Sequence, residues 1–392
     1  VDRQIVGVLA VPIKAELGLT DTELGLMGGL AFALFYASLG IPIATLSDRF
    51  SRSWIITICL CLWSAMTALC GLAHSFWHLF AARIGVGIGE AGGGPATYSL
   101  ISDYFPPHQR ARALGAYSFS IPVGSALGVM VGGTIASEID WRTAFMIVGL
   151  LGILLAPVFR LVVREPERGR YDTVKTEAAS FRDTMRLLAA KPSFWLLSLG
   201  AACATMVAYG LFFWLPSFFV RSHGLSLLDA SLAFGALLLI GGIPGIWLGG
   251  HVADRIGQKR KSSYASIPAA AFILTVPLYG FGVLASSFIL MFVVMIIPIA
   301  LGLAWVGPVI AAIQQVVKPQ MRATASAMLL LITNIVGLGI GTVLIGFGSD
   351  YFEARFGADA LRYAILAAAA FYVAGAILFL FAAPRLERDW ER

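Results

Sequence analysis

Gly250-His-Val-Ala-Asp254-Arg255-Ile-Gly257-Gln-Lys259-Arg260 repeats the pattern of Ala44-Thr-Leu-Ser-Asp48-Arg49-Phe-Ser-Arg52, with the Asp-Arg pairs 206 positions apart. Gly18-Leu19 precedes the first pair by 30 residues, and Gly224-Leu225 precedes the second by the same 30. A second block agrees. Pro107-His-Gln-Arg110-Ala-Arg112-Ala matches Pro319-Gln-Met-Arg322-Ala-Thr-Ala at an offset of 212, and Trp141-Arg142-Thr-Ala144 has a weaker echo in Leu361-Arg362-Tyr-Ala364. Two matches in register with the hydropathy describe a duplicated chain. Parallel six-helix halves related about the membrane normal are a transporter architecture.

Composition places those halves in a bilayer. Of 392 residues, 58% are hydrophobic and 13% charged, and the mean hydropathy is +0.84. Apolar runs of about 20 residues, the length that crosses a membrane, fall near 24–46, 54–73, 78–102, 112–136, 142–163, 194–219, 226–250, 263–284, 287–316, 323–348 and 359–382. These make eleven complete helices. A twelfth is partial: Ile5–Ile13 is too short to cross and the chain starts at Val1, so the upstream half of the first helix is expected to be missing, with Asp2 and Arg3 near the bilayer midplane. The expectation is an all-α membrane protein of twelve transmembrane helices, the first truncated at its N-terminal end, in two six-helix bundles spanning 1–163 and 194–392. The 164–193 linker carries Phe181, Met185, Leu187 and Leu188 beside Arg182, Asp183 and Arg186. It reads either as an amphipathic surface helix or as a solvated connector.

Net charge is +6, and its distribution says more than its sum. Twenty-one of the 28 Lys and Arg fall after the even-numbered helices, on one side of the membrane. The positive-inside rule makes that side, and both termini, cytoplasmic in an inner or plasma membrane. Since no basic patch stands apart from loop ends, no nucleic-acid partner is expected. Cys59, Cys61, Cys70 and Cys203 sit in apolar runs as packing residues. His74 and His78 have a metal-compatible spacing, but they flank Phe76 and Trp77 in an interfacial aromatic belt, so no metal is expected. No Ser-His-Asp or P-loop pattern supports an enzyme or an ATP-driven pump. A monomer is expected.

Four ionisable side chains lie at membrane depth: Asp2, Arg3, Arg83 and Glu90. Each costs about 2.5–3.5 kcal/mol to insert, so a chain that keeps four in one half has a use for them. Arg83 and Glu90 are seven apart, on one helical face with roughly 10 Å between them. Thr97 is expected to continue that face through a stretch rich in Gly (Gly85, Gly87, Gly89, Gly92, Gly93, Gly94) and closed by Pro95. Gly87-Ile-Gly89-Glu-Ala-Gly92 satisfies GxGxxG, but without a preceding strand it is no nucleotide site. Burial raises a carboxyl's proton affinity and a nearby guanidinium lowers it. A carboxylate whose Arg neighbour moves therefore makes a coupling device; a static buried ion network that fixes packing is the alternative. The C-terminal half offers Gln314, Gln315, Thr333 and Asn334 with the aromatics Tyr209, Phe212, Phe213, Trp214 and Trp305. A cavity charged on one wall and aromatic on the other suits an amphipathic ligand with an anionic or zwitterionic head.

The two Asp-Arg loops resemble the signature of the major facilitator superfamily, although Ala44 and Ser51 stand where that signature has glycines. The resemblance implies that Asp48 and Asp254 accept hydrogen bonds from helix starts of the opposite half, after Arg322 and Arg112, to close a cytoplasmic gate completed by Arg49 and Arg255. Arg83-Ile-Gly-Val-Gly-Ile-Gly-Glu90-Ala-Gly-Gly-Gly-Pro95-Ala, with Asp2-Arg3, resembles the spinster branch. That likeness implies a carrier of lysophospholipids or sphingolipids such as sphingosine-1-phosphate, with protons as the coupling ion and no other cofactor. In it Asp2 and Glu90 take up protons, and Arg3 and Arg83 partner the substrate's charge. A proton-linked organic-anion (sugar-acid) or drug transporter is the nearest alternative. An uncoupled scramblase or a membrane enzyme is a further one, the enzyme requiring a nucleophile with a base.

Overall fold

In a bilayer an apolar run can satisfy its backbone polar groups internally only as a helix or within a closed barrel, and helices are what this sequence forms. The computed structural model describes residues 2–47, 49–106, 109, 113–114, 116–117, 120–168, 180–257 and 260–390, and no strand occurs among them. The chain divides into two compact units. One comprises 1–175 with 215–220 and 224–235; the other comprises 176–214 with 221–223 and 236–392.

The first unit begins with α1 (Asp2–Leu17), which stops at Gly18, a residue with φ of 64° that suits glycine alone. Thr20 and Glu23 form a capping box that starts α2 (Asp21–Gly25). A π-turn at Leu26–Leu30 then leads into α3 (Ala31–Ser47). Next come α4 (Arg52–Cys70), capped by Ser51, and α5 (Phe76–Glu90), capped by Ser75. The unit continues with α6 (Gly93–Tyr104), α7 (Ser120–Glu138) and α8 (Trp141–Val162), the last capped by Asp140. Helix α4 packs between α8 and α5, α3 lies along α5, and α1 lies along α7.

Ten residues of the linker, Phe181–Ala190, form α9, with Thr184 and Leu188 buried. Then follow α10 (Pro192–His223) and α11 (Leu227–Leu237), joined at Gly224 with φ of 68°. Gly18 and Gly224, paired by the repeat in sequence, thus adopt the same left-handed turn. The chain continues, within the second unit, through α12 (Ile243–Gly257), α13 (Ser263–Leu284), α14 (Phe288–Leu303), α15 (Val306–Gln315), α16 (Arg322–Ile332), α17 (Gly341–Phe356) and α18 (Ala360–Asp389), most of α11 belonging to the first. Helix α13 packs on α18 and α14, and α17 packs on α18.

Among the described residues, nine helical stretches are long and apolar enough to cross a membrane. The tally differs from the eleven apolar runs for physical reasons. Phe76–Tyr104 is interrupted after Glu90, while Thr324–Asp389 counts as one stretch although it turns at Gly357, with φ of 53°.

Candidate functional site

The four charges at membrane depth come together in the first unit as two tiers. In the outer tier Arg3 Nε donates to Glu90 Oε2 at 2.5 Å, with side chains 29% and 13% exposed. The Arg3 guanidinium lies 4.6 Å from the Phe32 ring and 4.4 Å from the Tyr36 ring, themselves stacked at 5.2 Å. In the inner tier Arg83 is 1% exposed; Nη1 donates to the Asp2 carbonyl at 3.3 Å, and Nε has no hydrogen-bond partner. Asp2 Oδ1 is likewise buried and unsatisfied, and the Thr67 hydroxyl lies beside that carboxyl. Arg83 also approaches Phe32, at 5.5 Å, so a single ring supports both cations.

The sequence explains how the tiers meet. A Cβ on Gly87 would lie 2.6 Å from the Phe32 carbonyl oxygen, so only glycine lets α5 approach the α3 backbone this closely at Phe32. Orphaned polar atoms in such a place are costly, about 1–3 kcal/mol each.

The helix that carries Arg83 and Glu90 is interrupted after Glu90, and Thr97 follows on the next segment, with Ala91 and Gly92 between them still in helical dihedrals. The Ala91 N–H closes α5 on the Gly87 carbonyl, and α6 starts afresh in the glycine run, with Pro95 unable to donate. Thr97 donates to the Gly93 carbonyl at 2.7 Å and lies beside Tyr117, which in turn interacts with Arg3 and Glu90 and whose ring meets Tyr98 edge-on at 5.6 Å.

The aromatic residues proposed for the other wall belong to the second unit. Tyr209 and Phe212 are half-buried, with rings 6.2 Å apart. Trp214 is 0% exposed and its indole N–H donates to the Thr342 carbonyl at 2.8 Å, which makes it a packing residue of that unit; Phe213 is buried beside it. Trp305 is buried with its indole N–H unsatisfied, and Asn334 is half-buried in the π-helical segment Thr333–Ile340. Of the gate residues, Asp48, Arg112 and the side chain of Asp254 lie outside the described residues. Arg49 and Arg255 are exposed, and Arg322 Nε donates to the Gln314 carbonyl at 2.9 Å.

Sequence reasoning missed two groups. Phe32 and Tyr36 are four apart on α3, a spacing that places them on one face. A buried cluster also went unread: Arg52, 2% exposed, donates from Nη1 to Asp103 Oδ2 at 2.5 Å and from Nε to Glu165 Oε1 at 2.8 Å. Glu165 Oε2 also accepts from the Ser51 hydroxyl and the Ser53 N–H, each at 2.9 Å. Burial works against the Glu165 charge, yet these donors together hold its pKa down at about 2.

The sequence profile of the Major Facilitator Superfamily matches residues 1–342. An "MFS-type efflux pump" of Mycolicibacterium smegmatis is 34% identical over 99% of this chain and 90% of its own length. "Protein spinster homolog 1" of Homo sapiens is 28% identical, over 100% of this chain and 79% of its own. The crystal structure of a bacterial homolog of the human lysosomal transporter Spinster, inward-facing and unoccupied, superposes with a TM-score of 0.91 at 33% identity, covering 100% of this chain and 95% of that one.

Proposed function

This chain belongs to the major facilitator superfamily and is a membrane transporter of the spinster type, not an enzyme; we propose that it moves amphipathic lipids, lysophospholipids or sphingolipid phosphates, by proton-coupled alternating access. The observation that carries this reading is the division of labour in the charged cluster. Arg3 and Glu90 reach a partly accessible surface, whereas Arg83 and Asp2 sit behind them with unsatisfied atoms.

An anionic head group that draws Arg3 away from Glu90 leaves that carboxylate without its cation and makes it a proton acceptor. Protonation in turn frees Arg3 for the substrate. The two events are therefore linked, and the linkage is reciprocal. Arg83 holds the Asp2 backbone and supplies a fixed positive charge to both carboxylates; Asp2 is the second proton site. Tyr209 and Phe212 are the aromatic surface assigned to the apolar tail. The protein acts as a monomer in a cytoplasmic membrane with both termini inside, in keeping with the distribution of Lys and Arg, and the Asp48 and Asp254 loops form the cytoplasmic gate.

A second reading, proton-linked efflux of small amphipathic compounds, draws on the printed name of the mycobacterial relative. Uptake of a labelled panel of lysophospholipids, sphingosine-1-phosphate, sugar acids and cationic drugs into proteoliposomes, with and without an imposed pH gradient, separates the two. Gradient-driven movement of the lysolipids supports the proposal. Movement of drugs or sugar acids alone contradicts it.

A further inference from the structure

On the first unit, a groove of about 410 Å³ runs along the end of α3 and the first turns of α4, lined by Leu46, Phe50, Ser51, Trp54, Ile55 and Ile58. That volume is within the roughly 300–1,000 Å³ range of small-molecule sites. Phe50, Trp54 and Ile58 are exposed, as are Leu161 and Val162 at the end of α8. In a membrane-spanning unit such side chains face hydrocarbon.

Cations border the apolar run: Arg168 donates to the Ser47 and Phe50 carbonyls, and a second arginine lies against the Trp54 ring. Arg160, in the last turn of α8, stacks its guanidinium 4.8 Å from the Trp54 ring. Its Nε is buried without a hydrogen-bond partner, and no carboxylate pairs with it among the described residues. The nearest acid in sequence, Glu165, is already engaged by Arg52, Ser51 and Ser53. A tryptophan and an arginine at the ends of two adjacent spans occupy the depth of lipid head groups. Leaving a guanidinium uncompensated there is expensive unless the solvent itself supplies the anion.

We propose that this groove binds one bilayer glycerophospholipid with a net anionic head group, its phosphate on Arg160 and one acyl chain along Phe50, Trp54 and Ile58. The site contains none of Asp2, Arg3, Arg83 or Glu90, so it stands apart from the transported substrate. Lipid held there braces α4 against α8.

Native mass spectrometry of the full chain in detergent, with equal phosphatidylglycerol and phosphatidylcholine of matched chains, tests it. The wild type is expected to retain a single phosphatidylglycerol in preference to phosphatidylcholine by about fivefold, equivalent to ~1 kcal/mol for one basic side chain at an anionic surface. Arg160→Gln is expected to abolish that preference while lysolipid transport persists in neutral-lipid vesicles. Equal retention of both lipids by the wild type overturns the proposal whether or not the variant folds, and so does a preference that survives in Arg160→Gln.

Discussion

Arg3 and Arg83 lean on the same Phe32 ring, yet only Arg3 reaches an accessible surface. Beside them Gly87, by its missing side chain, lets the α3 backbone lie against α5. Gly87→Ala would press a methyl into the Phe32 carbonyl, a backbone atom that cannot rotate away. Overpacking of this kind costs about 1–3 kcal/mol, so the thermal unfolding midpoint in detergent should fall by several degrees. An unchanged midpoint would show that the close approach is not needed. The chemistry of these residues was legible: four charges at membrane depth could be picked out as a set. Their pairing was not, because Arg3 and Glu90 are 87 positions apart and nothing local couples them.

At the scale of elements, the segment after α8 is fastened to α4 and α6 through Glu165, Arg52 and Asp103. Read in sequence, these charges look like solvated loop ends that obey the positive-inside pattern, and nothing signals that Arg52 is buried. Two outcomes follow. Arg52→Ala leaves two carboxylates without their cation, and breaking a buried pair in this way costs about 3–5 kcal/mol; poor recovery of folded protein, or a midpoint lowered well beyond that of Gly87→Ala, is expected on size-exclusion and thermal assays. The pH dependence has a definite sign. Glu165 has a folded pKa of about 2, below the usual 4.5, so its contribution to stability is complete above the ordinary carboxylate value and disappears as pH falls toward 2. Melting curves between pH 5 and pH 2.5 should therefore drop less steeply for Glu165→Gln than for the wild type. Parallel curves would refute the assignment. Helix boundaries show the same limit of sequence reading. The run 78–102 reads as one span, but the Gly-rich stretch before Pro95 divides it: proline has no N–H to give the helix, and the glycines next to it lower the cost of leaving helical geometry.

For the molecule as a whole, the duplication was the most legible feature. It predicted a two-fold repeat of helices, and Gly18 and Gly224 take up matching left-handed turns. The membrane fold followed from hydropathy because a bilayer leaves so few alternatives. Substrate identity was not legible in the same way, since a cavity is the product of many residues that are each individually unremarkable in sequence. The repeated Asp-Arg loops carry a prediction at this scale. Asp48→Asn removes the carboxylate proposed to clasp the cytoplasmic side, so spin-label distances between the cytoplasmic ends of the two halves should shift toward the longer, inward-open population. An identical distance distribution in the variant would rule out the clasp.

In the proposed cycle, lipid movement and proton movement are one event at Glu90. A pH-sensitive dye sealed inside proteoliposomes reports it directly when lysolipid is added outside. The wild type should acidify the lumen as lysolipid enters, and Glu90→Gln, reconstituted and folded, should give no proton signal. A lumen that stays neutral while the wild type transports lysolipid, or one that acidifies equally in Glu90→Gln, would contradict the account.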